Sequence, residues 1–417
     1  MKTISVLPAA LAALAAAYIL IGAWLNHAFG TDPSRRTPAA ERGVGAHPLR
    51  LTLSRAAAAL GAGALAVAMS SAQMEVSAAE LAAMLGGALL GGVIVYGALF
   101  MSVRHEGTAL YAMIRENGGR GETLFFALAA CFLYAAAAGF AAQLASAGLM
   151  AAVQLLCGAA LPRAVTVTAV LALGLIFSFT PEDKGRRAGG WLMAALVAAY
   201  TAALLLGMPA GQEETIPWVL PGTKASGLLA EAGFGAYLAL FTLPGAEAAQ
   251  IVSERHIRPV ALGGALAAAL VCLTAHLAAH AGVMGSLAAS LGCGEAAVRA
   301  GFSLAACAMS LHTMQQAMRG VRALAEEWRA PAFPGMKARI GLADIVPFAC
   351  LALSAGLALH GSPLMMLALT EAALYVGLCV CHLVFRWLRQ IGRRHMMMFI
   401  LCLALFAMIV GTFIAVL

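Results

Sequence analysis

Two glutamates stand inside long apolar stretches of this 417-residue chain, where a charged side chain is costly. Glu247 directly follows Pro244, Gly245 and Ala246, within an apolar run from about residue 226 to 253. Proline has no backbone donor and glycine relaxes the dihedral limits, so this stretch predicts an interrupted helix. In lipid, unpaired backbone is tolerated only beside protein or a water-filled cavity. The interruption predicts a substrate or ion site, and a simple proline kink is the alternative.

The two carboxylates suit different tasks. Glu247 would begin the second half of the interrupted helix, where the helix dipole favours the charged form. It is therefore a candidate cation ligand, or else a helix cap. Glu371 lies well inside an apolar run with no basic residue nearby, so it would be neutral or paired. It is a candidate for proton coupling, and a protonated acid bonded to another helix is the alternative. No cofactor is predicted beyond a coupling proton or Na⁺.

Further candidates for substrate binding come from two other apolar runs. Gly61 and Gly63 lie mid-run, where paired glycines permit close helix contact or local unwinding. Thr313 and Gln315 belong to a polar stretch at the end of a later run. These two side chains can face a substrate or cation, although ordinary hydrogen bonding between helices explains them equally well.

The composition is that of a multi-pass membrane protein. Hydrophobic residues make up 62% of the chain and charged residues only 11%, with a mean hydropathy of +0.89. Soluble proteins carry about 25% charged residues. Read at the length that a bilayer requires, the apolar runs predict about twelve spans. Their limits are 4–27, 54–74, 79–103, 124–156, 164–179, 189–208, 226–252, 258–284, 298–320, 340–360, 362–387 and 394–416.

The basic residues set the predicted orientation. The loops after odd-numbered spans, together with the span ends that border them, contain 22 of the 26 Lys and Arg residues. Because basic loops stay in the cytoplasm, both termini are predicted to face outward. This pattern also explains the net charge of +7 without a nucleic-acid partner. The predicted partners are the lipid bilayer and a small-molecule substrate.

No motif for catalysis is recognisable in the sequence. There is no phosphate-binding loop, no nucleophile elbow and no paired metalloprotease motif, so the chain is not predicted to be an enzyme. The nine cysteines have no spacing typical of a metal site or a disulfide framework.

Several short motifs, taken in order, resemble the carbon starvation protein A family of inner-membrane transporters. The similarity covers roughly residues 1–330 and is most specific in the first loop. The matching residues are Phe29, Gly30, Asp32, Arg35 or Arg36, Thr37, Pro38, Ala39, Gly61, Ala62, Gly63, Ala72, Gln73, Leu99, Phe100, Ser102, Arg104, Gly107, Gly245, Glu254, Arg258, Pro259, Thr313, Ala317 and Arg319. Many polar positions of the family are replaced, for example by Ile94, Val95 and Gln315, so the chain resembles a divergent, shortened member.

This resemblance implies an all-α membrane domain with the leucine-transporter-like fold. Residues 54–208 and 226–387 would form two inverted five-helix repeats, flanked by residues 1–53 and 394–417. The predicted function is uptake of a peptide or a small carboxylate such as pyruvate, coupled to protons or a cation, by alternating access. The alternative is a non-transporting sensor or partner subunit built on a transporter scaffold, which the replaced polar residues favour.

Overall fold

The computed structural model describes residues 3–43, 45–59, 77–108, 113, 120–178, 248–280, 283–329 and 342–360, with short stretches between 184 and 236 and between 400 and 407. The longer described segments are helical. They comprise α1 (Thr3–Phe29), α2 (Pro38–Glu41), α3 (Pro48–Ala59), α4 (Ala78–Arg104), α5 (Arg120–Cys157), α6 (Arg163–Ser178), α7 (Gly264–His280), α8 (Val283–Leu291), α9 (Glu295–Arg329) and α10 (Leu342–His360). A 3₁₀ turn at Ala248–Gln250, a second at Glu254–His256 and a π turn at Pro259–Gly263 precede α7.

Within the described residues, four apolar helical stretches are long enough to cross a bilayer: Ser5–Phe29, Ala78–Arg104, Leu124–Cys157 and Glu254–Leu277. They correspond to the predicted spans 4–27, 79–103, 124–156 and 258–284. Helices α6, α9 and α10 lie where the spans 164–179, 298–320 and 340–360 are predicted. The other five predicted spans, and the division into two repeats, fall largely outside the described residues and stay predictions.

Two helices differ from the lengths that the apolar runs suggest. Helix α5 has 38 residues and α9 has 35, so each is roughly 50–60 Å long at 1.5 Å per residue. Both exceed the roughly 30 Å hydrocarbon core, so they must tilt or extend beyond it. Helix α8 lies between two spans and has no counterpart in the sequence prediction.

The central packing unit is the long helix pair α5 and α9, against which α6 and α10 also pack. Small residues allow the close approach. A Cβ added at Gly148 of α5 would lie 2.7 Å from the Ser303 carbonyl oxygen of α9. A Cβ added at Gly139 of α5 would lie 2.8 Å from the Ser354 carbonyl oxygen of α10. Such small-residue contacts are what membrane helices use to associate.

The second packing unit joins α3, α4 and α7, with α1 along its side. Its core contains the fully buried side chains of Leu51, Ile94, Tyr96 and Phe100. The segment that enters the second predicted repeat lies against α4, where Gly87 touches the Ala232 backbone.

Candidate functional site

Six of the residues proposed for binding or coupling lie outside the described part of the chain. They are Gly61, Gly63, Pro244, Gly245, Glu247 and Glu371. The predicted helix interruption at 241–247 therefore stays a prediction. Directly after it, however, the chain is not regular α-helix: residues 248–250 form a 3₁₀ turn, residues 251 and 252 are irregular, and Ser253 is extended.

The other two binding candidates lie on α9, facing the protein interior. Thr313 is fully buried and Gln315 is only 5% exposed. The Thr313 hydroxyl donates to the Met309 carbonyl oxygen one turn earlier, at 3.3 Å. Helix α9 is packed on several sides by α3, α5, α6 and α10, so this polar stretch lies at the centre of the bundle rather than toward lipid.

Close neighbours fix the side chains beside Thr313 and Gln315. The His312 ring lies against Gly189, where an added Cβ would sit 2.5 Å from the ring. Met314 packs against Gly174 of α6 on another side. In the described part of the chain, Gln143 Oε1 of α5 and Gln316 Nε2 of α9 are buried and have no hydrogen-bond partner. Buried amides without partners are rare in native proteins and suit a place where a polar ligand binds.

A second cluster of motif residues meets at the end of the bundle that the charge pattern predicts to face the cytoplasm. The strap, defined as residues 30–43, connects α1 to the segment leading into α3. It crosses the exit segment, defined as residues 248–257, which follows the predicted interruption. Arg36 and Ser253 form an isolated antiparallel bridge between the two. Two chain regions more than 200 residues apart are thus paired.

Hydrogen bonds from the strap satisfy the non-helical backbone of the exit segment. The Thr37 amide donates to the Val252 carbonyl oxygen at 3.3 Å, and its hydroxyl donates to the Ile251 carbonyl oxygen. In return, the Ser253 hydroxyl donates to the Pro33 carbonyl oxygen at 3.0 Å. Because an unpaired backbone group near lipid is costly, the strap stabilises this departure from helix.

Glu254 is the electrostatic centre of this junction. Its side chain is 1% exposed and accepts hydrogen bonds from Arg104 Nε at 3.1 Å and Nη2 at 3.3 Å. The strap contributes the Asp32 amide, 2.9 Å from Glu254 Oε2, and Arg35, whose Nε lies 3.7 Å from Oε1. A buried carboxylate requires such partners, because desolvation alone disfavours its charge.

Hydrogen bonds within the strap stabilise a turn at Asp32. Asp32 Oδ1 accepts hydrogen bonds from the Ser34 hydroxyl at 2.6 Å and the Ser34 amide at 2.9 Å. These bonds, the hydroxyl first, lower the pKa of the Asp32 carboxyl below its usual value. This Asx turn and the two prolines at 33 and 38 explain why the loop does not continue α1.

The anchor of the strap is a polar and aromatic cluster between α1 and α4. The Tyr96 hydroxyl donates to Asn26 Oδ1 at 2.8 Å and lies 3.1 Å from the Thr31 hydroxyl. The Phe29 ring packs on Tyr96 and Phe100, with ring centroids 5.5 Å and 5.1 Å apart. The Arg104 guanidinium covers the Phe100 ring at 4.2 Å. The start of the strap is therefore fixed to two helices.

Sequence reasoning missed this junction. It interprets the basic residues of the loops only as signals of topology. One signal was present: Glu254 stands directly beside Arg255 in a short basic loop after an apolar run. Its partners, Arg104 and Asp32, are 150 and 222 residues away, so no local pattern identifies them.

A sequence model of the family described as carbon starvation protein CstA matches residues 2–222, which is more than half of the chain. No curated protein matches the chain.

Solved transporter structures share the fold. A Na⁺-coupled sialic acid symporter in a substrate-bound, outward-open state has a TM-score of 0.57 at 12% identity, covering 100% of this chain and 97% of that one. Mhp1, a nucleobase-cation-symport-1 family transporter in a closed conformation with bromovinylhydantoin bound, has a TM-score of 0.56 at 14% identity, with 92% and 95% covered. A manganese transporter of Eremococcus coleocola has a TM-score of 0.56 at 14% identity, with 87% and 85% covered. The leucine-transporter-like fold that the family resemblance implies is confirmed. The prediction of a multi-pass membrane protein is confirmed as well.

Proposed function

The chain belongs to the carbon starvation protein CstA family, and from this membership we propose that it is a secondary transporter for a small organic nutrient. The proposed substrate class is a peptide or a small carboxylate such as pyruvate. The family match carries the proposal. The transporter fold and the polar residues buried on α9 support it. We propose no enzymatic activity.

The proposed substrate site lies between three elements. They are the glycines Gly61 and Gly63, the interruption at 241–247, and Thr313 with Gln315 on α9. The buried atoms Gln143 Oε1 and Gln316 Nε2, which have no hydrogen-bond partner among the described residues, support a polar ligand inside the bundle, because such a ligand would provide the missing hydrogen bonds. Access to the site would alternate as one group of helices rocks against the other.

Coupling is proposed to depend on carboxylates at the depth of the membrane. Glu371 would bind a proton together with substrate, while Glu247 would bind a cation or the positive end of a peptide. Both termini would face outward across the inner membrane, which places the strap and the exit segment on the cytoplasmic side.

Uptake into proteoliposomes tests this function. Purified protein is reconstituted, and accumulation of labelled di- and tripeptides, pyruvate and amino acids is measured under an imposed pH or Na⁺ gradient. Glu247→Gln and Glu371→Gln are compared with Glu295→Gln as a matched control, because Glu295 is exposed and forms an ion pair with Arg299 one turn along α9. We expect gradient-driven uptake by the wild type and the control, and its loss in at least one of the other variants.

The outcomes separate the two candidate functions. If no substrate accumulates under any gradient, the sensor or partner-subunit alternative replaces the transporter. If uptake survives both Glu247→Gln and Glu371→Gln, the transporter stands and its coupling residues have been assigned wrongly.

A further inference from the structure

The strap differs from the helices beneath it in how it is held. Of residues 30–43, all of which the structure describes, only Thr37 and Ala39 are buried. Besides the hydroxyl hydrogen bonds of Thr31 and Thr37, the strap is held by backbone hydrogen bonds and by ion pairs of exposed arginines; Arg35, for example, is 57% exposed. Segments with few buried apolar contacts and exposed hydrogen bonds open locally at low free energy.

The part of the strap that can move begins after Thr31. The Thr31 hydroxyl donates to the Asn26 carbonyl oxygen at 2.8 Å and lies 3.1 Å from the Tyr96 hydroxyl, so Thr31 stays fixed to α1 and α4. At the other end, Gly43 has φ +67° and open space around it, which suits a hinge. Residues 32–43 can therefore swing while Thr31 stays in place.

The charge at the junction remains paired if the strap leaves. Arg104 belongs to α4 and supplies two of the hydrogen bonds to Glu254, whereas the strap supplies only the Asp32 amide and the distant Arg35. Opening thus exposes the carbonyl groups of residues 251 and 252 to water, which can replace the hydrogen bonds from Thr37. The buried carboxylate of Glu254 keeps its ion pair with Arg104.

The position of the strap connects this motion with transport. The exit segment begins directly after the predicted interruption at 241–247, and the strap covers it from the side predicted to be cytoplasmic. We infer that the strap is a cytoplasmic gate, whose backbone pairing with residues 251–253 breaks and re-forms in each transport cycle. The inference rests on the proposed transport function and adds to it the element that closes the site toward the cytoplasm.

A reversible disulfide across the bridge tests the gate. Directly opposed residues of an antiparallel pair have Cβ atoms about 4.5–5.5 Å apart, close to the separation that a disulfide spans. Arg36→Cys and Ser253→Cys are combined, reconstituted and oxidised, and cross-linking is measured by mass spectrometry. We expect uptake to fall at least about tenfold on cross-linking and to recover on reduction, because a closed gate cannot release substrate.

The controls are each single cysteine variant and the wild type, all treated with the same oxidant, since the chain has nine native cysteines. They are expected to retain uptake. If the cross-linked double variant transports as fast as its reduced form, the strap is a fixed brace and the inference is wrong.

A second measurement does not depend on transport. Hydrogen exchange of the Thr37 amide is followed by mass spectrometry in the wild-type protein in lipid nanodiscs. We expect this amide to exchange at least about tenfold faster than the buried amides of α4, because local opening exposes it. Equal protection in the strap and in α4 would overturn the gate even if uptake is observed. Fast exchange in a protein that accumulates no substrate would show that the strap opens locally, and it would reject the transport function on which the gate rests.

Discussion

The ion pair between Arg104 and Glu254 should respond asymmetrically to truncation. In Arg104→Ala, the Glu254 carboxylate stays 1% exposed and retains only the Asp32 amide at 2.9 Å and Arg35 at 3.7 Å. In Glu254→Ala, by contrast, Arg104 is already 31% exposed, still donates to the Gly30 carbonyl oxygen at 3.2 Å and still covers the Phe100 ring.

These differences set the magnitudes. Leaving a buried charge without its partner costs about 3–5 kcal/mol, which applies to Arg104→Ala. Losing hydrogen bonds to a charged group while the remaining charge reaches water costs about 1.5–3 kcal/mol, which applies to Glu254→Ala. The double variant removes the isolated carboxylate, so it should be more stable than Arg104→Ala alone, by roughly 1–2 kcal/mol.

Reversible unfolding of the protein in mixed detergent micelles measures this ranking. A matched control is the nearby pair Arg42 and Glu106, whose atoms lie 2.8 Å apart but whose side chains are 58% and 70% exposed. Truncating either member should change the free energy of unfolding by less than about 1 kcal/mol. Equal losses for the two single variants, with a double variant as unstable as their sum, would refute the assignment of Glu254 as a buried charge that depends on Arg104.

Three further predictions concern individual contacts. Gly107→Ala should lower the free energy of unfolding by more than about 1 kcal/mol, because Gly107 has φ +79° and the new Cβ would lie 2.5 Å from the Ala249 Cα. Gly121→Ala, where the new Cβ would meet open space, is the control in the same unfolding measurement. Tyr96→Phe should cost about 1–2 kcal/mol in that assay through lost hydrogen bonds to Asn26 and Thr31, and an unchanged stability would contradict the anchor. Gln316→Leu should leave stability unchanged or higher, because it removes a buried amide nitrogen without a hydrogen-bond partner among the described residues, and it should lower uptake. A destabilised variant would show that this nitrogen is satisfied in the folded protein.

The amino-acid sequence predicts the membrane helices well, because each helix is determined by a continuous apolar run of neighbouring residues. Apolar runs of bilayer length identify the helices from Ser5, Ala78 and Leu124 onward, and the structure has each of them. It predicts helix ends less well. The long α9 continues to Arg329 through polar residues after residue 320, because an amphipathic helix can leave the membrane without changing its backbone.

The junction at the strap could not be predicted in the same way, because its cause is long-range pairing. Arg36 and Ser253 are 217 positions apart, and nothing in either local sequence specifies the other. The family resemblance did single out the participating residues, Asp32, Arg104 and Glu254 among them, but as separate motifs. What the structure adds is that these motifs form one contact surface.

Charge movement on a solid-supported membrane tests the central claim of coupled transport most directly. Proteoliposomes are adsorbed to the sensor, and the current is recorded when peptides, pyruvate or amino acids are added at fixed pH and Na⁺ concentration. We predict that at least one substrate gives a saturable current that an ionophore for the coupling ion abolishes. Reconstituted, folded protein that gives no current or uptake with any of these substrates would contradict a role as a coupled carrier.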